Sequence, residues 1–179
     1  MFLKGKEIVV GITGSIAAYK APELVRLLKK EGAGVSCILT ENGARFVTPL
    51  TLQTVSGSPV YQGMFDPFVW DIEHISLAQK ADLIVIAPAT ADMIARLACG
   101  RADDLLSSVV LASNAPVLIC PAMNDRMWHH PATYANAQKL KTYGYRFVPP
   151  VKGALACGSQ GDGRLAALPT IVAQIRKLI

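Results

Sequence analysis

The 179-residue sequence is poor in charge: 17% of its residues are Asp, Glu, Lys or Arg, against 51% hydrophobic. That balance excludes an intrinsically disordered chain, which lacks the apolar surface to build a core. The 14 glycines follow no three-residue period, which excludes a collagen-like rod. Basic residues outnumber acidic ones, 18 to 13, but no basic run is longer than a pair. A formal charge of +5 so dispersed argues for no nucleic acid; a phosphate-bearing small molecule suits it equally well. The four cysteines, Cys37, Cys99, Cys120 and Cys157, include no pair at zinc-knuckle spacing, so no metal is expected. H-E-x-x-H and a serine nucleophile elbow are both missing, which removes zincin and serine-hydrolase chemistry. Met1–Glu7 has no apolar signal-peptide core, and a reducing, cytoplasmic setting is expected. Residues 105–124 carry no charge, but they hold three serines, two asparagines and two prolines. A helix end, a turn and a buried strand explain that stretch, and no membrane span is expected.

What is present alternates. Residues 7–12 (EIVVGI) form a β-branched run, followed by a glycine turn and a helical pattern whose inner face is Ala17, Ala21, Leu24 and Leu28. Gly32 and Gly34 end that helix before a second apolar strand at residues 35–39. Helices are predicted at 42–46, 49–55, 90–98, 103–112, 131–143 and 169–178, with Thr48 a cap before Pro49. Buried strands are predicted at 83–87 (LIVIA) and 116–120 (PVLIC), and residues 145–148 read as the last strand. Near-continuous apolar strands have both faces covered. The fold class is therefore α/β, a three-layer doubly wound, Rossmann-like parallel sheet in one domain over 1–179. Residues 57–71 and 149–165 break the pattern and read as irregular lids or binding loops.

Ligands of open α/β sheets bind where strands end, so the residues after each strand are the candidates. After the first come Thr13, Gly14, Ser15 and Ile16, whose N–H groups and hydroxyls suit an anion. The spacing departs from G-x-G-x-x-G at Thr13 and Ile16, and a turn needing only small residues reads the same way. Thr40 ends the second strand with a hydroxyl suited to phosphate, while Glu41 beside it leaves an NAD ribose open. Ala87, Pro88, Ala89 and Thr90 form a small-residue turn that admits a flat ring; Thr90 or Asp92 equally caps a helix. After 116–120 comes Pro121-Ala122-Met123-Asn124-Asp125-Arg126-Met127-Trp128. Asn124 there is either a polar group holding a carboxylate in an apolar wall or a turn former. Cys37, Cys99 and Cys120 fit buried packing slots. Cys157 sits in a polar, glycine-dense loop, where a thiol can donate a proton or attack, or be a tolerated surface residue. His129 and His130 read as a solvated pair, and His74 as a histidine at a helix start.

Taken together these strings resemble the flavin-containing cysteine decarboxylase family. The resemblance covers nearly the whole chain. Residues 14–20 (GSIAAYK) resemble the family's flavin-phosphate turn, and 87–92 (APATAD) its isoalloxazine turn, with Asp92 where many members carry Asn. Residues 121–128 fit P-x-M-N-x-x-M-W at every fixed position, and 156–163 resemble the substrate clamp with its active cysteine.

Within the family the match is to the decarboxylase half of bacterial bifunctional decarboxylase/ligase enzymes. The resemblance implies FMN as cofactor and decarboxylation of 4′-phosphopantothenoylcysteine to 4′-phosphopantetheine in coenzyme A biosynthesis. The thiol is oxidised to a thioaldehyde, carbon dioxide leaves, and the enethiol is reduced again, with no net redox. It implies His74, Asn124 and Cys157 as catalytic residues. Gly14, Ser15, Ile16, Thr40, Ala87, Pro88, Ala89, Thr90, Ser107 and Met123 would hold the cofactor. Asn124, Ala122, Met127, Ala156 and Lys152 would hold the substrate. Cys157 would give the proton of the final reduction. Self-association as a trimer or dodecamer, and a covalently linked ligase domain, are further implications. Three rivals remain: a peptidyl-cysteine decarboxylase of lantibiotic maturation, a non-catalytic flavin-binding regulatory subunit, and an NAD-dependent Rossmann enzyme.

Overall fold

Alternation of apolar side chains along each strand gives the sheet two greasy faces, and helices cover both. The structure, a computed structural model, describes residues 1–64, 73–156, 158 and 160–179. β1 (Glu7–Ile12) and β2 (Gly34–Leu39) flank α1 (Ala21–Lys30). α2 (Pro49–Ser56), β3 (Val60–Tyr61), α3 (Glu73–Lys80) and β4 (Leu83–Ala89) follow. Next come α4 (Ala91–Ala98), α5 (Leu105–Ala112), β5 (Val117–Pro121), α6 (Asp125–His129), α7 (Pro131–Thr142) and β6 (Arg146–Phe147). A hairpin of β7 (Val151–Ala154) and β8 (Gln160–Arg164) precedes the closing helix α8 (Leu168–Leu178). The main sheet is parallel in the order β3-β2-β1-β4-β5-β6.

Ile8, Val10 and Ile12 of β1 pack with Leu24 and Leu28 of α1, Leu52 of α2 and Ile171 and Ile175 of α8. The intervening Val9 belongs to the other layer, with Leu77 of α3, Ile94 of α4, Leu106 of α5 and Leu140 of α7. A single two-residue period thus feeds two cores. The chain leaves β1 toward β2 on one side and toward β4 on the other, and that reversal opens a crevice beyond the strands' carboxyl ends.

Four details differ from the sequence reading. The first helix is split: a 3-10 turn over Ile16–Lys20 hands over to α1 at Ala21. Pro22, which has no N–H to donate, sits at the start of α1, where that donor is not needed. The irregular stretch 57–71 hides β3, a two-residue edge strand beside β2, too short to leave a periodic signal. Residues 145–148 do hold a strand, β6 at the edge of the main sheet, but it is not the last one. Residues 149–165 hold the antiparallel β7–β8 hairpin, whose glycines and charges give it no strand-like composition. Finally, Cys99 is exposed at the end of α4, not packed. Among the described residues no helix is long and apolar enough to cross a membrane, and no group of His, Cys, Asp or Glu is disposed to hold a metal.

Candidate functional site

A cleft of about 540 Å³ opens at the carboxyl ends of β1, β4 and β5, at the sheet's point of reversal. The segments after these three strands form its floor and the β7–β8 hairpin forms one wall. Its volume falls in the range of sites that take a cofactor-sized ligand.

The floor is fixed by Thr13, which is 2% exposed. Its hydroxyl donates to the Pro88 carbonyl at 2.8 Å and accepts from the Thr90 N–H at 3.0 Å. The backbone N–H of Thr13 reaches the same carbonyl at 3.3 Å. This hydroxyl is spent inside the protein, on Pro88 and Thr90, and is not free for the anion that the sequence reading left open to it. The Ala87–Pro88 peptide is cis. Thr90 then caps α4, its hydroxyl accepting from the Met93 N–H at 3.2 Å. Ser15 caps the 3-10 turn in the same manner, accepting from the Ala17 N–H at 3.3 Å. Gly14 allows this turn to approach the next: a Cβ there would lie 2.5 Å from Asn42 Cβ.

Asn124 follows β5 and caps α6, its Oδ1 accepting from the Arg126 N–H at 2.9 Å. The hairpin is docked on this turn. The Met123 N–H donates to the Gly163 carbonyl at 3.0 Å, and a Cβ on Gly163 would sit 2.0 Å from the Met123 oxygen. On the rim, His129 Nε2 lies 3.9 Å from Asp162 Oδ2. The hairpin that carries Ala156 is therefore held to the strand-end turn that carries Asn124.

The structure brings nine candidates to this cleft: Gly14, Ser15, Ile16, Thr90, Ala122, Met123, Asn124, Met127 and Ala156. Others stand apart from it. Ala87 and Ala89 are buried in β4, with Pro88 occupied by Thr13. The Thr40 hydroxyl donates to the Ile12 carbonyl and accepts from the Gly43 N–H, both at 3.1 Å, closing its own turn. Ser107 is fully buried, and its hydroxyl donates to Asp104 in the capping box of α5. Lys152 is exposed on β7 outside the lining, and His74 occupies the first turn of α3, on the far side of the sheet from α1. Asp92 points away into an ion pair with Arg96 at 2.9 Å. Cys157 lies outside the described residues.

Chemically the cleft is small-walled and cationic. Ala17, Ala91 and Ala122 leave room for a planar group, while Ile16, Tyr19 and Met127 keep 55%, 63% and 49% of their surface exposed near its mouth. Among the described residues Lys20 and Arg164 are its charged side chains, and no acidic side chain lines it. The sequence reading misses Arg164, whose one signal is its place directly after Gly163. Burial pushes the Cys37 thiol up to about 12 and the Cys120 thiol higher still, so both strand cysteines stay protonated packing. A second cleft of about 560 Å³ along β6 is walled by Trp128, Tyr145 and Phe147 and holds none of the candidates. Burial raises the Tyr145 phenol there.

Comparison with known proteins gives three findings. The family described as Flavoprotein matches residues 2–179. The coenzyme A biosynthesis bifunctional protein CoaBC of Haemophilus influenzae is 53% identical over 167 residues, covering 93% of this chain and 42% of that protein. The chain thus spans about two fifths of the length of the curated relatives it matches. Among solved structures, a PPC decarboxylase mutant complexed with pantothenoylaminoethenethiol has a TM-score of 0.85 at 29% identity, covering 96% of this chain and 97% of its own. The FMN-dependent cysteine decarboxylase SpaF has a TM-score of 0.86, also at 29% identity, covering 97% and 96%.

Proposed function

The chain belongs to the flavoprotein family, and from that premise we propose that it is an FMN-dependent decarboxylase that converts 4′-phosphopantothenoylcysteine to 4′-phosphopantetheine. One observation carries the reading. The cleft at the sheet's reversal gathers the Ser15 turn, the Asn124 turn and the Ala156 loop from segments far apart in sequence, and its charged side chains are cations. FMN fits this cleft in size, in its small-residue walls and in charge. Bound there, FMN supplies the reversible two-electron oxidation of the substrate thiol that turns the β-carbon into an electron sink.

The remaining work falls to the protein. Of the residues that line the cleft, the Gly14–Ser15 turn and Lys20 would take the cofactor's phosphate, and Thr90, Ala91 and Met123 would stand against its ring. Asn124 takes the substrate carboxylate through its amide without a formal counter-charge. A cation at that point would stabilise the charge that has to leave as neutral carbon dioxide. Met127 shapes the wall and limits water. Cys157 delivers the proton that completes the product. His74 assists the oxidation, and because it stands outside the cleft of its own chain, a second copy must bring it there. Ile16, Tyr19 and Met127, exposed at the cleft mouth, are suited to being covered by that copy. Trimers or dodecamers satisfy this requirement. A phosphopantothenate–cysteine ligase domain in the same polypeptide would form the amide of phosphopantothenoylcysteine and so supply this site's substrate.

Incubation of purified, FMN-loaded protein with phosphopantothenoylcysteine, followed by mass analysis, tests the reading. Loss of one carbon dioxide per substrate supports it; unaltered substrate in the presence of bound FMN refutes it. Cys157→Ala should accumulate the oxidised enethiol, and normal release of 4′-phosphopantetheine by that variant would remove Cys157 from the mechanism. A peptidyl-cysteine substrate is the second reading, favoured by the likeness to SpaF. Parallel assay with a peptide ending in cysteine separates the two.

A further inference from the structure

Lys20 and Arg164 face the same cleft from opposite sides of its function. Lys20 belongs to the 3-10 turn after β1, beside Ser15, with its ammonium 5.8 Å from the Tyr19 ring. Arg164 ends β8, in the hairpin whose two strands flank Ala156. Arg164 has no acidic partner among the described residues. Its side chain lies across Gly153 of the neighbouring strand: a Cβ there would stand 2.7 Å from both Cδ and Nη1. Gly153 thus provides a flat shelf that holds a planar guanidinium at the cleft wall.

We infer that Arg164 is the specificity residue that binds the phosphate of the substrate and selects it over unphosphorylated analogues. The inference rests on the decarboxylase reading above. That reading brings three anionic groups into the cleft: the phosphate of FMN and the phosphate and carboxylate of the substrate. The cofactor phosphate has Lys20 and the turn beside it. The carboxylate belongs with neutral Asn124, since an arginine there would hold in place the charge that decarboxylation must discharge. The substrate phosphate is what remains, and the group that remains is an arginine. Its fork of N–H donors matches phosphate oxygens two at a time. A phosphate carries no charge that the reaction consumes, so tight binding there assists the substrate and the transition state alike. Lys152, the cation picked out from sequence, lies outside the lining, and Arg164 takes its place.

The test compares FMN-loaded wild type, Arg164→Gln and Gly153→Ala on phosphopantothenoylcysteine and on pantothenoylcysteine, with the flavin content of each protein read from its absorbance. Arg164→Gln should lower kcat/KM for the phosphorylated substrate by roughly ten- to a hundred-fold, mostly through KM, the scale of one hydrogen-bonded charge pair. It should leave the unphosphorylated substrate within about three-fold, because no charged partner is lost there. Flavin content should not change. Gly153→Ala displaces only the flexible end of Arg164 and should reproduce the phosphate-selective loss in smaller degree, without unfolding. Equal losses on both substrates would assign Arg164 to the carboxylate or to structure, and loss of flavin would assign it to the cofactor phosphate; either overturns the inference. Wild type inactive on both substrates would instead overturn the decarboxylase reading on which the inference depends.

Discussion

Replacing Thr13 with valine removes one hydroxyl and keeps the shape of the side chain. In the structure that hydroxyl joins the end of β1 to the end of β4 and the turn after it, bonded at 2.8 Å to Pro88 and at 3.0 Å to Thr90. Each bond contributes about 1 kcal/mol net, and a donor left without a partner costs a further 1–3 kcal/mol or so. The Pro88 carbonyl keeps the Thr13 backbone N–H, but the Thr90 N–H loses its acceptor. The expected loss is about 3–5 kcal/mol, or about 6–20 °C in Tm for a chain of this size. Thr13→Ser keeps the hydroxyl and should fall within about 1 kcal/mol of wild type. Urea denaturation of the three proteins measures the loss. The same samples, scored for flavin absorbance after gel filtration, report whether the cleft floor has loosened, since Thr90 and Ala91 line it. A valine variant within about 0.5 kcal/mol of wild type, with full flavin retention, would show that the joint does not organise the cleft.

Asn124→Asp should keep the cap of α6, since Asp caps as well as Asn, and so preserve folding. It should depress decarboxylation by roughly ten- to a hundred-fold or more by setting a negative charge against the substrate carboxylate; full activity would release Asn124 from substrate binding. Thiol titration of folded Cys157→Ser protein should modify Cys99 promptly and spare Cys37 and Cys120 until denaturant is added; prompt reaction of three thiols would contradict their burial. The Glu7 N–H, at 2.8 Å, and then Lys6 hold the Asp82 carboxyl below its usual range. A depressed carboxyl adds stability above its unfolded value of about 3.9 and loses it as pH falls through the folded value. Asp82→Asn should therefore lower stability near neutral pH by at most about 1 kcal/mol, a gap that closes in strong acid; a gap that widens in acid would reverse the assignment.

The segments legible in the sequence are those whose signal is periodic. Residues 7–12, 35–39, 83–87 and 116–120 are apolar throughout because each strand is covered on both faces, and each is a strand within two residues. The helices between them announce their ends with Thr48, Thr90 and Gly144, and those positions cap or close them in the structure. β3 and the β7–β8 hairpin escaped that reading for opposite reasons. One is too short to show a period. The other is made of residues such as Gly161 and Gly163 that disfavour strands, and it exists because those glycines let its backbone lie against Met123 and Asp125.

By itself the sequence determined the layered α/β class and pointed to half of the residues that line the cleft at the strand ends. A strand's periodicity and a turn's small residues are local properties, and they can be read one segment at a time. Only the tertiary structure decided which strand ends meet. It also decided that Thr13 is a joint and not a ligand group, and that Arg164 and not Lys152 lines the cleft. Gly11 and Gly14 look alike in the chain, yet a Cβ on the first would strike Leu106 of α5 and on the second Asn42 beyond β2. Those partners lie far along the sequence. What a residue does depends on which distant atoms fill the space beside it, and that space exists only after the sheet has assembled.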